Sequence, residues 1–371
     1  MTDRMPAVVF PPGDTIKEEL EERGWTQVTL AEIMGRSPKE IHDLITGKRP
    51  ISLDMAKGLE DAFGPSALYW MNLDNAYRLW RSARPDDAVA RRSRLYQLAP
   101  IKEMCKRHWL EWSESVSVLE QRVMQYFGLS QLDDEIRLPV AARTSAQGPP
   151  SPAQQAWFFR AKQLSRAVQV KAFSDKSFER GLTELRSLLL SAQEVRHVPR
   201  VLADAGIRFV VIEHLPHTKI DGAAFRLDAK SPVIALSLRY DRIDHFWFTL
   251  FHELRHIQRR DDQLDTDILE ANGGSAEDEA EVDANRFARE FLIEQSVLDS
   301  FVSRTSPLYG KQRIIGFART IGVHPGIVVG QLHFRKEIEY DTFRPMLEKV
   351  RNTVTQAALT DGWGQLPPVL T

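Results

Sequence analysis

Residues 246–260 read FWFTLFHELRHIQRR, an apolar run that ends in two histidines four positions apart. On a helix, positions i and i+4 lie on one face about a turn apart, so His252 and His256 project together and can share one metal ion. Phe246, Trp247, Phe248, Leu250 and Phe251 mark the helix as buried, and polar groups such as His252 and Glu253 are costly there unless something pairs with them. A metal accounts for them. Zinc takes imidazole nitrogen at about 2.0–2.1 Å, and a catalytic zinc site uses three protein ligands and leaves one position open for water. Glu253, between the histidines, cannot easily reach an ion that they hold. It is placed to hold a water there, accept its proton and pass that proton to a leaving amine, which is the chemistry of peptide hydrolysis.

The third ligand is expected downstream. SAEDEAEVDANRFAREFLIE (275–294) reads as a helix with Ser275 as its N-cap and an apolar face of Ala280, Ala284, Phe287, Ala288 and Phe291. Glu281 lies three residues before Ala284, toward that face, and is the expected ligand, with Glu277 in the fraying first turn as its rival. Glu279 and Asp283 are expected to point away and Asp278 to lie at the side. The competing reading, a solvated acidic first turn favoured by the helix dipole, suits most of these acids but leaves the buried histidines unexplained. Zinc is the expected ion, although manganese or iron also suits two histidines and a carboxylate.

Upstream, IRFVVIE (207–213) and SPVIALSLRY (231–240) are rich in β-branched residues and read as strands. Gly222 to Arg226 is a candidate edge strand that could receive an extended substrate by strand addition. Helices resume from Asp244, the expected N-cap, and run to near residue 350, so this part is α+β and predominantly helical. VAARTSAQGPPSPAQQ (140–155) has linker composition. The expected division is 1–80, a compact helical domain; 81–140, a helical connecting region; 141–155, a linker; and 156–371, the α+β domain with a small β-sheet.

With HLPHTKIDGAAFRLDAKSPVIALSLRYDRIDHFWFTLFHELRHI (214–257), the ExxANxFA pattern at 281–288 and IGVHPGIVVGQLH (321–333), the chain resembles the ImmA/IrrE family of zinc metallopeptidases over roughly residues 155–340. The resemblance implies a zincin-like domain, Zn2+ held by His252, His256 and Glu281, and Glu253 as the catalytic acid and base. It also implies an endopeptidase that cleaves a helix-turn-helix repressor or a related regulatory protein. The chain departs at Arg255, where the family commonly has glycine. That cation could narrow the cleft, meet a substrate carbonyl or carboxylate, or face solvent. His324 and His333 could supply an oxyanion donor, against a commoner role in the core or on the surface.

The segment 16–73 has the helix, turn and helix spacing of a helix-turn-helix and resembles HigA-like antitoxins of the Xre type. Gly35, Gly47 and Gly64 sit where helix C-caps belong. Gln27 starts the second helix, Gly35 and Arg36 make the turn, and Ser37 caps the recognition helix. Lys39 and His42 are expected to face the major groove, and Lys48 and Arg49 to meet phosphate. Residues 1–64 carry eight Lys or Arg against twelve Asp or Glu, a net of −4. Binding to operator DNA must therefore rest on few contacts, for which a homodimer is the usual remedy.

The whole chain is near neutral, at −2, so no global field draws it to nucleic acid. One cysteine, Cys105, excludes an internal disulfide and a cysteine-rich zinc finger. No apolar stretch suits a membrane span or a signal peptide, so a cytoplasmic address is expected. A reading from another class is an antitoxin-like transcription factor, with a toxin partner, whose zinc domain senses or binds without hydrolysing anything. The intact Glu253 favours the enzyme.

Overall fold

The computed structural model of the chain describes residues 10–81, 87–134, 136, 138, 149–266 and 279–365. Ser275, Glu277 and Asp278, and residues 141–148 of the expected linker, lie outside them. The chain divides into two units, one ending at Asp87 and one beginning at Ala88.

The first unit holds α1 (Pro12–Arg23), α2 (Gln27–Ile33), α3 (Pro38–Ile45), α4 (Leu53–Phe63) and α5 (Ala67–Arg81). Side chains cap the starts of the three central helices: Thr26 accepts from Thr29 N–H, Ser52 from Met55 N–H, and Ser37 forms a reciprocal capping box with Glu40. Left-handed glycines end or follow the first four helices, and they include Gly24 at the end of α1 as well as the three expected from sequence. The apolar stripes meet in a core that includes Ile16, Leu30, Ile41, Leu59 and Trp70.

The second unit begins with α6 (Ala88–Leu98), α7 (Ile101–Lys106), α8 (Val116–Phe127), α9 (Pro152–Arg166), α10 (Asp175–Ser187) and α11 (Val198–Ala205). Then come β1 (Arg208–Ile212), β2 (Ile220–Arg226), β3 (Pro232–Leu236), α12 (Ile243–Arg259) and β4 (Gln263–Thr266). It closes with α13 (Glu279–Leu292), α14 (Gln295–Thr305), α15 (Lys311–Ile321), α16 (Pro325–Phe334), α17 (Arg351–Thr355) and β5 (Leu359–Asp361). The strands form one sheet in the order β4-β2-β3-β1-β5, with β1 parallel to β3 and β5, and β2 antiparallel to β3 and β4.

Helices cover both faces of the sheet, which is why β1 and β3 read as continuous apolar runs instead of alternating ones. Phe209, Val211, Ala224, Ile234 and Leu236 pack with α12 in one core, while Val210, Ile212, Ala223, Phe225 and Val233 pack with α8 and α9 in the other. The segment expected as a connecting region therefore supplies one layer of the second unit.

Three expectations need correction. The strand Gly222 to Arg226 is not an edge: β4 pairs along one side of it and β3 along the other, since the chain turns back after α12 and supplies its own strand. The run 231–240 stops being a strand at Leu236, and Leu238 takes a left-handed φ of 47° that leads into the next helix. Arg242, not Asp244, is the N-cap residue of α12, and Asp244 sits in the first turn bound to the Arg242 guanidinium. Among the described residues no helix is long and apolar enough to cross a membrane.

Candidate metal centre

Helix α12 is buried along most of its length, and His252, Glu253 and His256 have no exposed surface. Glu281 lies in the first turn of α13, half-buried, and brings its carboxylate to the pair. Its Oε2 is 3.3 Å from His252 Nε2 and its Oε1 is 3.5 Å from His256 Nε2, while the two Nε2 atoms are 3.1 Å apart. One donor atom from each of the three residues falls within 4.8 Å of the others. Two imidazoles and one carboxylate form a donor set suited to zinc, so these residues fit the ion that the sequence implies.

Both rings are held from behind. His252 Nδ1 lies 3.1 Å from Asn285 Oδ1, and His256 Nδ1 lies 3.3 Å from Asp261 Oδ1. Fixing Nδ1 turns Nε2 toward Glu281 and sets the ring plane. Asn285 stands one turn after Glu281 on α13, so the same helix face delivers both groups. Asp261 reaches back because Arg260 ends α12 in a left-handed conformation, with φ of 62°. Neither group was assigned from sequence; Asn285 is visible within ExxANxFA, but nothing in RRDD marks Asp261.

Glu253 is packed against β2 at Gly222. A Cβ built on Gly222 would lie 2.1 Å from Glu253 Oε1, so a residue with any side chain cannot share that space. Beside it stands a buried polar clasp. Arg239 donates to both carboxylate oxygens of Asp221, at 3.0 and 3.2 Å, and His245 Nε2 lies 3.6 Å from Asp221 Oδ1. A register shift between Ile220 and Gly222 accompanies this turn of Asp221 toward α12. Burial pushes the His245 imidazolium pKa down to about 3, against a raising effect from Asp244.

Asp283 corrects the sequence reading, which pointed it away from the packed face. It is buried and accepts from Arg255 Nε at 2.7 Å, from Arg259 at 3.1 Å and from Arg286 at 2.6 Å. Arg255 also donates to Gln258 Oε1 at 2.6 Å and lies 5.2 Å from the Phe287 ring centroid. The residue that departs from the family thus joins α12 to α13. His324 caps α16, accepting from Gly326 N–H at 3.0 Å, and His333 Nε2 is 2.8 Å from Thr342 O. The described structure gathers neither of them with the three converging donors.

Residues 16–70 match the family described as helix-turn-helix, and residues 207–326 match the one described as IrrE N-terminal-like domain. The chain thus carries an Xre-like helix-turn-helix domain at its N-terminus and an IrrE N-terminal-like domain in its C-terminal part, the domain architecture expected from the ImmA/IrrE resemblance. The N-terminal domain has curated relatives of its own. One is an uncharacterized helix-turn-helix transcriptional regulator of Escherichia coli, YddM, 36% identical over 84 residues, covering 23% of this chain and 88% of the relative. Another is virulence-associated protein I of Dichelobacter nodosus, 35% identical over 78 residues, covering 21% of this chain and 70% of the relative. A solved structure, a Pseudomonas aeruginosa protein in complex with its operator DNA, is 32% identical with a TM-score of 0.20, covering 21% of this chain and 85% of that one.

In the helix-turn-helix domain, Gln27 opens α2 and Ser37 caps α3, with Lys39 and His42 exposed on α3. The Ser37 hydroxyl serves the capping box. Arg49 donates to Glu40 Oε1 at 2.7 Å, and Lys48 beside it is exposed.

Proposed function

We propose that the chain is a DNA-binding regulator fused to a zinc-dependent endopeptidase that cleaves a regulatory protein, with a helix-turn-helix repressor as the substrate class. The observation that carries the reading is the convergence of His252 Nε2, His256 Nε2 and the Glu281 carboxylate, both rings being held from behind by Asn285 and Asp261. His252, His256 and Glu281 hold the ion. When bound, zinc polarises the scissile carbonyl and acidifies water near neutral pH. Glu253 takes the proton of the attacking water and delivers it to the leaving amine. Gly222 leaves Glu253 its space, and the clasp of Asp221, Arg239 and His245 holds β2 against α12 beside it.

In the DNA-binding module, α3 enters the major groove with Lys39 and His42 toward the bases, Lys48 and Arg49 meet the phosphates, and Gln27 and Ser37, at the starts of α2 and α3, complete the DNA-binding set. Arg49 exchanges Glu40 for phosphate when it binds.

The test is incubation of the zinc-loaded chain with helix-turn-helix repressors, beside Glu253→Gln. Cleavage by the parent and none by the variant, at equal zinc content, supports the reading. Equal outcomes from the two proteins sink it and leave the non-hydrolytic regulator.

A further inference from the structure

Strands β1 and β5 run parallel, with Ile212 opposite Asp361, so they end together at one edge of the sheet. In sheets covered by helices on both faces, the space outside the carboxyl ends of parallel strands is where ligands settle. Here that space is a polar cavity of about 360 Å³, within the range of about 300–1,000 Å³ common to small-molecule sites. Glu213 follows β1 and Trp363 follows β5, while Glu103, Lys106, Arg107 and His108, on and just after α7, close the other side. None of the three metal-centre donors lines it, and β3 stands between β1 and the strand that carries Gly222.

The walls are fixed in place. Arg107 donates to the carbonyls of Glu213 and His214, both at 2.9 Å, which ties the end of α7 to the end of β1. Trp363 N–H donates to Glu213 Oε2 at 2.6 Å, and a Cβ on Gly362 would lie 2.3 Å from Glu213 Cβ. His108 and Trp363 both hold a left-handed backbone, with φ of 56° and 51°, a conformation that residues with side chains keep only where their surroundings impose it. The Glu213 carboxylate lies 3.5 Å from the Arg107 guanidinium, and the buried Asp361 accepts from Trp109 Nε1 at 3.0 Å and from Arg160. Two of the acids on the cavity wall are thus answered by arginine.

Glu103 and Lys106 are not. They stand three positions apart on α7, where neighbours on one helix face are about 5–6 Å apart at Cβ. Among the described residues, neither the Glu103 carboxylate nor the Lys106 ammonium has an ion-pair partner. We propose that this cavity binds a free α-amino acid, with its ammonium on Glu103, its carboxylate on Lys106 and its side chain toward Trp363. An α-amino acid bears both charges on one carbon and so fits two opposite charges that neighbour each other on one helix face. A simple anion, a nucleotide phosphate included, meets Glu103 beside Lys106, and a simple cation meets the reverse. A blocked stretch of peptide leaves both charges of the wall unanswered. At about 30 Å³ per water, the cavity has room for about a dozen water-sized groups, enough for one amino acid with its side chain.

The experiment is calorimetric titration of the full chain, zinc-loaded and zinc-free, with each of the twenty free L-amino acids. At least one should bind both forms with a Kd below about 1 mM. Its N-acetyl derivative and its methyl ester should each bind at least about tenfold more weakly, and 6-aminohexanoate, whose charges stand at opposite ends, should not compete. In Glu103→Gln the free amino acid should lose about tenfold, while the N-acetyl derivative binds no worse than to the parent. In Lys106→Gln the free amino acid should lose as much, while the methyl ester keeps its affinity. A merely structural role for either side chain would weaken free and blocked compounds alike. Such a parallel loss, no Kd below about 1 mM, equal binding of free and blocked compounds, or affinities unchanged in both variants overturns the site. Binding that appears only with zinc belongs to the metal centre and overturns it too.

Discussion

Gly222 and Glu253 are in such close contact that a methyl group on the first would lie 2.1 Å from a carboxylate oxygen of the second. Glu253 is the end of a flexible side chain, so in Gly222→Ala the carboxylate moves and the backbone stays. Peptidase activity should fall by about 100-fold or more, because an ångström of misplacement is enough to lose that much. Zinc content should not change. Full activity in this variant would show that Glu253 is not placed by β2.

The groups behind the histidines should tune the ion. Asn285→Ala and Asp261→Ala are each expected to weaken zinc binding by about 10- to 100-fold, read by competition with a chelator. Removing zinc from the parent should lower its thermal midpoint, and returning it should restore the midpoint, since a ligand of the folded chain stabilises by mass action.

His245 makes stability pH-dependent. Its folded pKa is depressed to about 3 by burial, against about 6.5 in an unfolded chain. The unfolded chain therefore binds the proton first as pH falls. Stability is complete above about pH 6.5 and is lost progressively down to about 3. Urea unfolding of zinc-free protein at pH 7.5, 6 and 4.5 should show a steeper loss in the parent than in His245→Gln, as an order-of-magnitude linkage. Parallel losses in the two proteins would contradict the assignment.

Arg255 is expected to act on packing and not on access. Arg255→Gly leaves the buried Asp283 with one donor fewer and removes the contact with Phe287. The loss should be about 1–3 kcal/mol, seen as a lower denaturation midpoint without a gain in zinc affinity. Unchanged stability with faster turnover would instead place Arg255 across the substrate path.

Lys48→Ala and Arg49→Ala should weaken DNA binding across sequences and reduce the salt slope by about 0.9 each. Glu40→Gln should strengthen binding, because it weakens the hold on Arg49. Both are read by titrating operator DNA at several salt concentrations. A parent without salt dependence would remove phosphate contact from the account.

The sequence by itself determined the helices and the spacing of His252, Glu253 and His256, because a 3.6-residue period converts separation along the chain directly into position on a face. Capping residues such as Ser37 and left-handed glycines marked the helix ends for the same local reason. Only the tertiary structure decided which acid meets the histidines, that Asp283 turns inward to three arginines, and that Asn285 and Asp261 stand behind the rings. It also decided that β4 covers β2, and that helices before residue 140 form a layer of the second unit. Those facts depend on which surfaces pack across long separations, where burial and charge pairing are settled by partners that no local pattern names.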